Sequence, residues 1–246
     1  MRKLFDFENL SISLGNQSLF DNINFSISEG DRYMLLGKNG SGKSLLLELM
    51  FGGYTNEICK RYRGLKVCGH IWNDKGEDLL DPSTSRKIAY VTQNEDFHNN
   101  ATFLSEGITA CRGIGIDFDE DKFDALLKRF DLLEKKKQKI VHNVSCGEGK
   151  VIHLITRILK MDATDILLLD EPLNHLSFQN SKTFNDVIEE IKEKNPRLTV
   201  VMISHCRAIS FVDKIMKYDY EAKEMKVDDY KSYNCFSVED CVDICR

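Results

Sequence analysis

The sequence predicts an α/β protein, a parallel sheet covered by helices with antiparallel strands at its edge. Three observations carry that prediction. Short, largely apolar runs at residues 33–36, 166–169 and 199–204 alternate with segments of helical period. Strands buried on both faces read this way, which is the habit of parallel sheets. Residues 4–14 and 24–28 instead alternate apolar and polar side chains, as half-buried strands near a sheet edge do. Finally, the run 33–36 ends directly in glycine and passes into a helical pattern, the strand-to-helix step of an α/β unit.

The bulk numbers agree with one such domain. The chain has 246 residues, 42% hydrophobic and 30% charged, a folded and globular balance. Its formal net charge of −5 argues against a protein that coats nucleic acid. The start, MRKLFDFENL, lacks the apolar stretch of a secretory signal. No run of about 18 apolar residues occurs, so the chain is expected not to span a membrane. Eight cysteines form no CxxC pair and read as reduced thiols of a cytosol. Cys235, Cys241 and Cys245 cluster in the tail without the second ligand pair of a zinc site.

Taken in order, residues 43–50 read as a helix with Leu46, Leu49 and Met50 on one face. Residues 88–92 are a further strand. Residues 121–134 form an amphipathic helix, with Phe123, Leu126, Leu127 and Phe130 on one side. The following Lys135, Lys136 and Lys137 read as a solvated helix end, since cations suit that terminus. The change of character between Gln93 and Ser145 is read as a helical subdomain, about 94–145, inserted into a single domain spanning 1–246. Ser145 opens the apolar run 151–159 as an N-cap with Glu148 at the third helical position, a capping box.

The chemistry is concentrated in two places. Gly37, Lys38, Asn39, Gly40, Ser41, Gly42, Lys43 and Ser44 fit G-x-x-x-x-G-K-[ST] between a strand and a helix. Glycines let the backbone turn its N–H groups inward as a nest for phosphate oxygens at a helix N-terminus. Lys43 adds charge for the β- and γ-phosphates, and the Ser44 hydroxyl is a Mg²⁺ ligand. The second place is the run 166–169 ending in Asp170 and Glu171. An acid at the carboxyl end of a buried strand lies where α/β sheets bind ligands. Asp170 is expected to hold Mg²⁺, and Glu171 to accept a proton from the attacking water. Gln93 and His205, each at a strand end, carry little information singly.

Together these residues resemble the ATP-binding-cassette family, over nearly the whole chain. The order is phosphate loop (37–44), Gln93, a signature (144–148), the acidic strand (166–171), then Leu173, Asn174, His175, Leu176 and Ser177, and finally His205. The resemblance implies a P-loop, RecA-like core, an ATPase using ATP and Mg²⁺, and a head-to-tail dimer that sandwiches two ATPs. Gln93 would touch Mg²⁺ and the attacking water, and His205 the γ-phosphate. Ser145 and Gly147, with Glu148 beside them, would reach the partner's ATP. Leu14 stands where the family stacks an aromatic residue on adenine. Other departures are Cys146 for the signature's first glycine, Glu148 for its glutamine, Ser177 for an aspartate, and a basic pair reduced to Lys150.

The function expected from the resemblance is the ATP-binding subunit of a transporter, powering a separately encoded permease from the cytoplasmic face of the membrane. Its partners would be a second cassette, with a homodimer favoured, and the permease, whose contact is sought among the apolar residues of 97–114. The alternative is a soluble cassette ATPase of a cytosolic complex, translation-factor-like or an assembly ATPase. Asn174, His175 and Leu176, and Gly147 with Glu148, resemble the former.

Overall fold

Alternating side chains build the first strands, and continuous apolar runs build the later ones. The computed structural model describes residues 2–84, 87–92, 97, 101–140, 144–161, 164–204 and 212–230. In chain order the elements begin with β1 (Lys3–Leu14), β2 (Gln17–Ser28), β3 (Arg32–Leu36), α1 (Lys43–Gly52), α2 (Asn56–Arg61) and β4 (Leu65–Asn73). Next come β5 (Ile88–Val91), α3 (Phe103–Arg112), α4 (Glu120–Arg129), α5 (Cys146–Ile158), β6 (Ile166–Asp170) and α6 (Phe178–Lys194). The last are β7 (Thr199–Ile203), β8 (Lys214–Asp219) and β9 (Glu224–Asp229). The described residues fall into two units, one within Met1–Arg86, Arg197–Arg207 and Val212–Arg246, the other within Lys87–Pro196 and Ala208–Phe211.

In the first unit β1 lies antiparallel between β2 and β4. Phe5, Phe7, Leu10 and Ile12 are buried from β1, and the residues between them face outward more, so the alternation specifies which face packs. A second sheet runs β7-β3-β8-β9, with β3 parallel to both neighbours and β9 antiparallel to β8. Tyr33, Met34, Leu35 and Leu36 are all buried, as expected of a central parallel strand. A two-pronged ion pair from the Arg32 guanidinium to Asp213, at 2.8 and 2.9 Å, fixes the start of β3 beside β8. Helix α1 follows β3 and buries Leu45, Leu46, Leu47, Leu49 and Met50. The expected single apolar face is therefore too narrow: α1 is enclosed nearly all round.

In the second unit β5 and β6 pair in parallel, and every residue of β6 is buried. Helix α5 is also almost wholly enclosed, burying Val151, Ile152, Leu154, Ile155 and Ile158 together with Lys150, His153 and Thr156. Helix α4 stops at Arg129, short of the expected residue 134, because Asp131 takes a left-handed φ of 58°. The chain then makes a 3₁₀ turn, Leu133–Lys135. Lys135 and Lys136 are not simply solvated. Lys136 pairs with Glu120 at 2.5 Å and Asp124 at 2.6 Å, binding the turn back onto α4. Within residues 97–114, Phe103, Ala110 and Cys111 are core, and Ile114 is 44% exposed. No helix among the described residues is long and apolar enough to cross a membrane.

Candidate functional site

The glycine-rich loop joins β3 to α1. Gly40 and Gly42 have left-handed φ values of 75° and 92°, which an L side chain rarely adopts. At Gly42 there is a second reason, because a Cβ would come within 3.1 Å of the Leu19 and Phe20 side chains. Gly42 caps α1 with no side-chain hydrogen bond, and the first turn carries no acidic residue. The positive end of the helix is thus left for an anion. Lys43 is 7% exposed and its Nζ donates to the Gly37 carbonyl at 2.7 Å and the Lys38 carbonyl at 2.9 Å. The ammonium is held inside the loop, while Lys38, Asn39 and Gly40 are exposed and Ser41 is buried. Ser44, next along α1, is half-buried. Leu14 ends β1, half-buried, opposite Gln17 and Leu65, and the neighbouring Gly15 amide donates to Gly64 at 3.0 Å.

In the second unit Asp170 ends β6 at 2% exposure, with the Tyr90 hydroxyl of β5 donating to its Oδ2 at 3.4 Å. Glu171 follows with a left-handed φ of 47°, and His175 has 66°. Two such residues in one short loop are costly and mark functional segments. Asn174 Nδ2 donates to the Glu171 carboxylate, fixing its direction. Ser177, where the resemblance leads one to expect aspartate, is the N-cap of α6, its Oγ accepting from the Asn180 amide at 3.2 Å.

The capping box at the head of α5 is present. Ser145 Oγ accepts from the Glu148 amide at 3.3 Å, and Glu148 Oε2 accepts from the Ser145 amide at 2.9 Å. The other Glu148 oxygen takes the Lys135 ammonium at 2.5 Å, which holds the Glu148 carboxyl below the usual carboxylate range. Gly147 passes so close to the loop after β6 that a Cβ would stand 2.6 Å from the His175 carbonyl oxygen. Helix head and loop therefore form one packed surface, with Cys146 exposed on it.

Gln93 and His205 lie outside the described residues, as do the three tail cysteines. Among the described residues no group of three or more His, Cys, Asp or Glu is placed to hold a metal. The donors expected for Mg²⁺, the Ser44 hydroxyl and the Asp170 carboxylate, are hard oxygens of the kind that ion takes, with waters completing its shell. Sequence reasoning gave no role to Tyr90, read Lys135 only as a solvated helix end and used Asn174 only as part of a motif; their partners become visible only in three dimensions.

One buried group gives a pH signature. His153 of α5 is 7% exposed, its Nε2 has no hydrogen-bond partner, and burial, then Arg157, Lys150 and Lys160, push its pKa down to about 3. The folded chain keeps it neutral where the unfolded chain, with a value of about 6.5, takes up a proton. Its contribution is complete above the unfolded value and declines as pH falls towards the folded one. Between pH 6.5 and 4.5 wild type should lose about 2 kcal/mol more than His153→Gln in urea titrations. Equal acid-side losses would contradict the assignment.

A glycine loop closing on a buried lysine, between a central parallel strand and a buried helix, defines a P-loop nucleotide-binding protein. A profile described as "ABC transporter" matches residues 20–174. The ergothioneine transport ATP-binding protein EgtV of Helicobacter pylori (strain G27) is 30% identical over 209 residues, covering 83% of this chain and 91% of that protein. The ribosome protection protein VmlR of Bacillus subtilis (strain 168) is 25% identical over 216 residues, covering 84% of this chain but 32% of that protein. Among solved structures, an ATP-binding cassette of an ABC transporter matches with a TM-score of 0.73 at 17% identity, each chain covered completely at 100%. That last likeness shows the fold. The chain belongs to the ABC transporter family of ATP-binding proteins and is an ATPase.

Proposed function

We propose that the chain is the ATP-hydrolysing subunit of an ABC transporter, working as a homodimer that powers a separately encoded membrane permease from the cytoplasmic side. The observation that carries this reading is the likeness to a transport ATP-binding protein, which is 30% identical over 209 residues, against 25% for the ribosome protection protein. We read residues 1–246 as one nucleotide-binding domain with a helical insertion at about 94–145.

In this reading the loop from Gly37 to Ser44 holds the ATP phosphates, with Lys43 as the counter-charge. Ser44, Asp170 and Gln93 would hold Mg²⁺, which when bound neutralises charge on the phosphates. Glu171, aimed by Asn174, takes the proton of the attacking water, and His205 contacts the γ-phosphate. Ser145 and Gly147, backed by Glu148, meet the ATP of the partner subunit. Leu14 packs against the base. An aliphatic contact lacks the ring-on-ring term of about 0.5–1.5 kcal/mol, so affinities for ATP and GTP should agree within about tenfold. Competition binding checks this, and a hundredfold preference for ATP would contradict it.

The likeness of Asn174, His175 and Leu176 to translation factors favours the second reading, a soluble cassette acting on ribosomes. Affinity purification from detergent-solubilised membranes separates the two. The transporter reading expects a multi-span protein held in stoichiometric amount. Recovery of ribosomes without a membrane partner would replace it.

A further inference from the structure

Strand β5 carries its carbonyls in two sets. The Lys87 carbonyl accepts from the amides of Asp165 at 2.8 Å and Ile166 at 3.3 Å. In a parallel pair alternate residues bond to the neighbour, so the carbonyls of Tyr90 and Thr92 face the edge away from β6. Buried backbone carbonyls need donors. Two side chains of α5 supply them: Arg157 Nε donates to the Tyr90 carbonyl and Lys150 Nζ to the Thr92 carbonyl, each at 2.8 Å.

The two donors stand seven residues apart, two helical turns, and so share one face of α5. Lys150 is 1% exposed. A buried ammonium is expensive, and a leucine or methionine would fill the same space without that cost. The lysine therefore calls for a reason beyond packing. The same helix is capped by Ser145, and its second residue, Gly147, lies against the His175 carbonyl in the loop that carries Glu171. The path from Glu171 through the head of α5 to the carboxyl end of β5 is one continuous set of contacts.

We propose that Lys150 is a positioning residue for ATP hydrolysis, locking the carboxyl end of β5 to the helix headed by Ser145 so that the two move as one body. This rests on the reading that Ser145 and Gly147 engage a partner's ATP. Lys150 touches no substrate. It acts by keeping the head of α5 and the loop after β6 in register with β5.

Steady-state ATPase and equilibrium ATP binding on the full chain test this, with Lys150→Met and Lys150→Arg. Lys150→Met should lower kcat by about tenfold or more, since small misplacements of a reacting constellation are that costly, while KM and ATP affinity stay within about threefold. Lys150→Arg keeps a cationic donor and should hold kcat within about threefold of wild type. A merely structural lysine predicts a different pattern, in which kcat and affinity fall together with the melting temperature. That pattern, an active Lys150→Met, or an Arg variant as impaired as Met, overturns the proposal. Should Lys150→Met give no folded protein, Lys150→Gln takes its place and must lose about fivefold in kcat with affinity retained. Failure of the underlying reading is seen separately, as a wild-type chain that never dimerises on ATP in light scattering.

Discussion

Glu171→Gln is expected to bind ATP with near wild-type affinity and to turn it over about 10²–10⁴-fold more slowly, the usual worth of a positioned general base. Glu171 stands one residue beyond the buried end of β6 in a left-handed conformation, and Asn174 grips its carboxylate. Glutamine keeps the length and can present its oxygen to Asn174 Nδ2, so geometry survives and basicity is lost. The substitution leaves the phosphate-loop residues 37–44 unchanged. Paired measurements of ATP affinity and phosphate release check this. A variant keeping more than about a tenth of the wild-type rate would mean that another group takes the proton.

Lys43→Ala should fail in the opposite way, at binding. The ammonium is enclosed by its own loop, donating to the Gly37 and Lys38 carbonyls. Alanine removes the counter-charge for the phosphates and that tie across the loop. Hydrogen bonds to charged groups contribute about 1.5–3 kcal/mol each, so ATP affinity should drop roughly tenfold to hundredfold. Helix α1 is held by its buried leucines, and the thermal midpoint should change far less than the affinity. ATP binding within about threefold of wild type would remove Lys43 from the phosphate site.

Much of this was legible because each element announces itself locally. The runs of β3, β6 and β7 are short, largely apolar and bounded; β6 and β7 are buried throughout, and β3 at every residue but Arg32. The capping box of Ser145 and Glu148 needs only a three-residue spacing and is present. What stayed hidden depends on partners distant in sequence. β4, β8 and β9 mix polar and apolar residues without a clean period, and pairing decides them. The end of α4 turns on the left-handed Asp131, a conformation that aspartate tolerates without signalling. Lys135 read as solvent-facing charge, yet its partner, Glu148, lies thirteen residues away. Lys150 had no visible purpose until β5 was seen beside α5.

The measurement that bears most directly on the account is light scattering of Glu171→Gln with and without ATP. In the proposed reading the helix headed by Ser145 serves another subunit's ATP, so a second copy would complete each site. ATP bound between two copies stabilises the pair by mass action. The chain should be monomeric without nucleotide, and the Glu171→Gln protein should double in mass when ATP is added. Ser145→Arg in the same background, which puts bulk and charge at the junction, should keep it monomeric. If Glu171→Gln binds ATP and remains a monomer at high concentration, the homodimer is contradicted and an unlike cassette must supply the second half of the site.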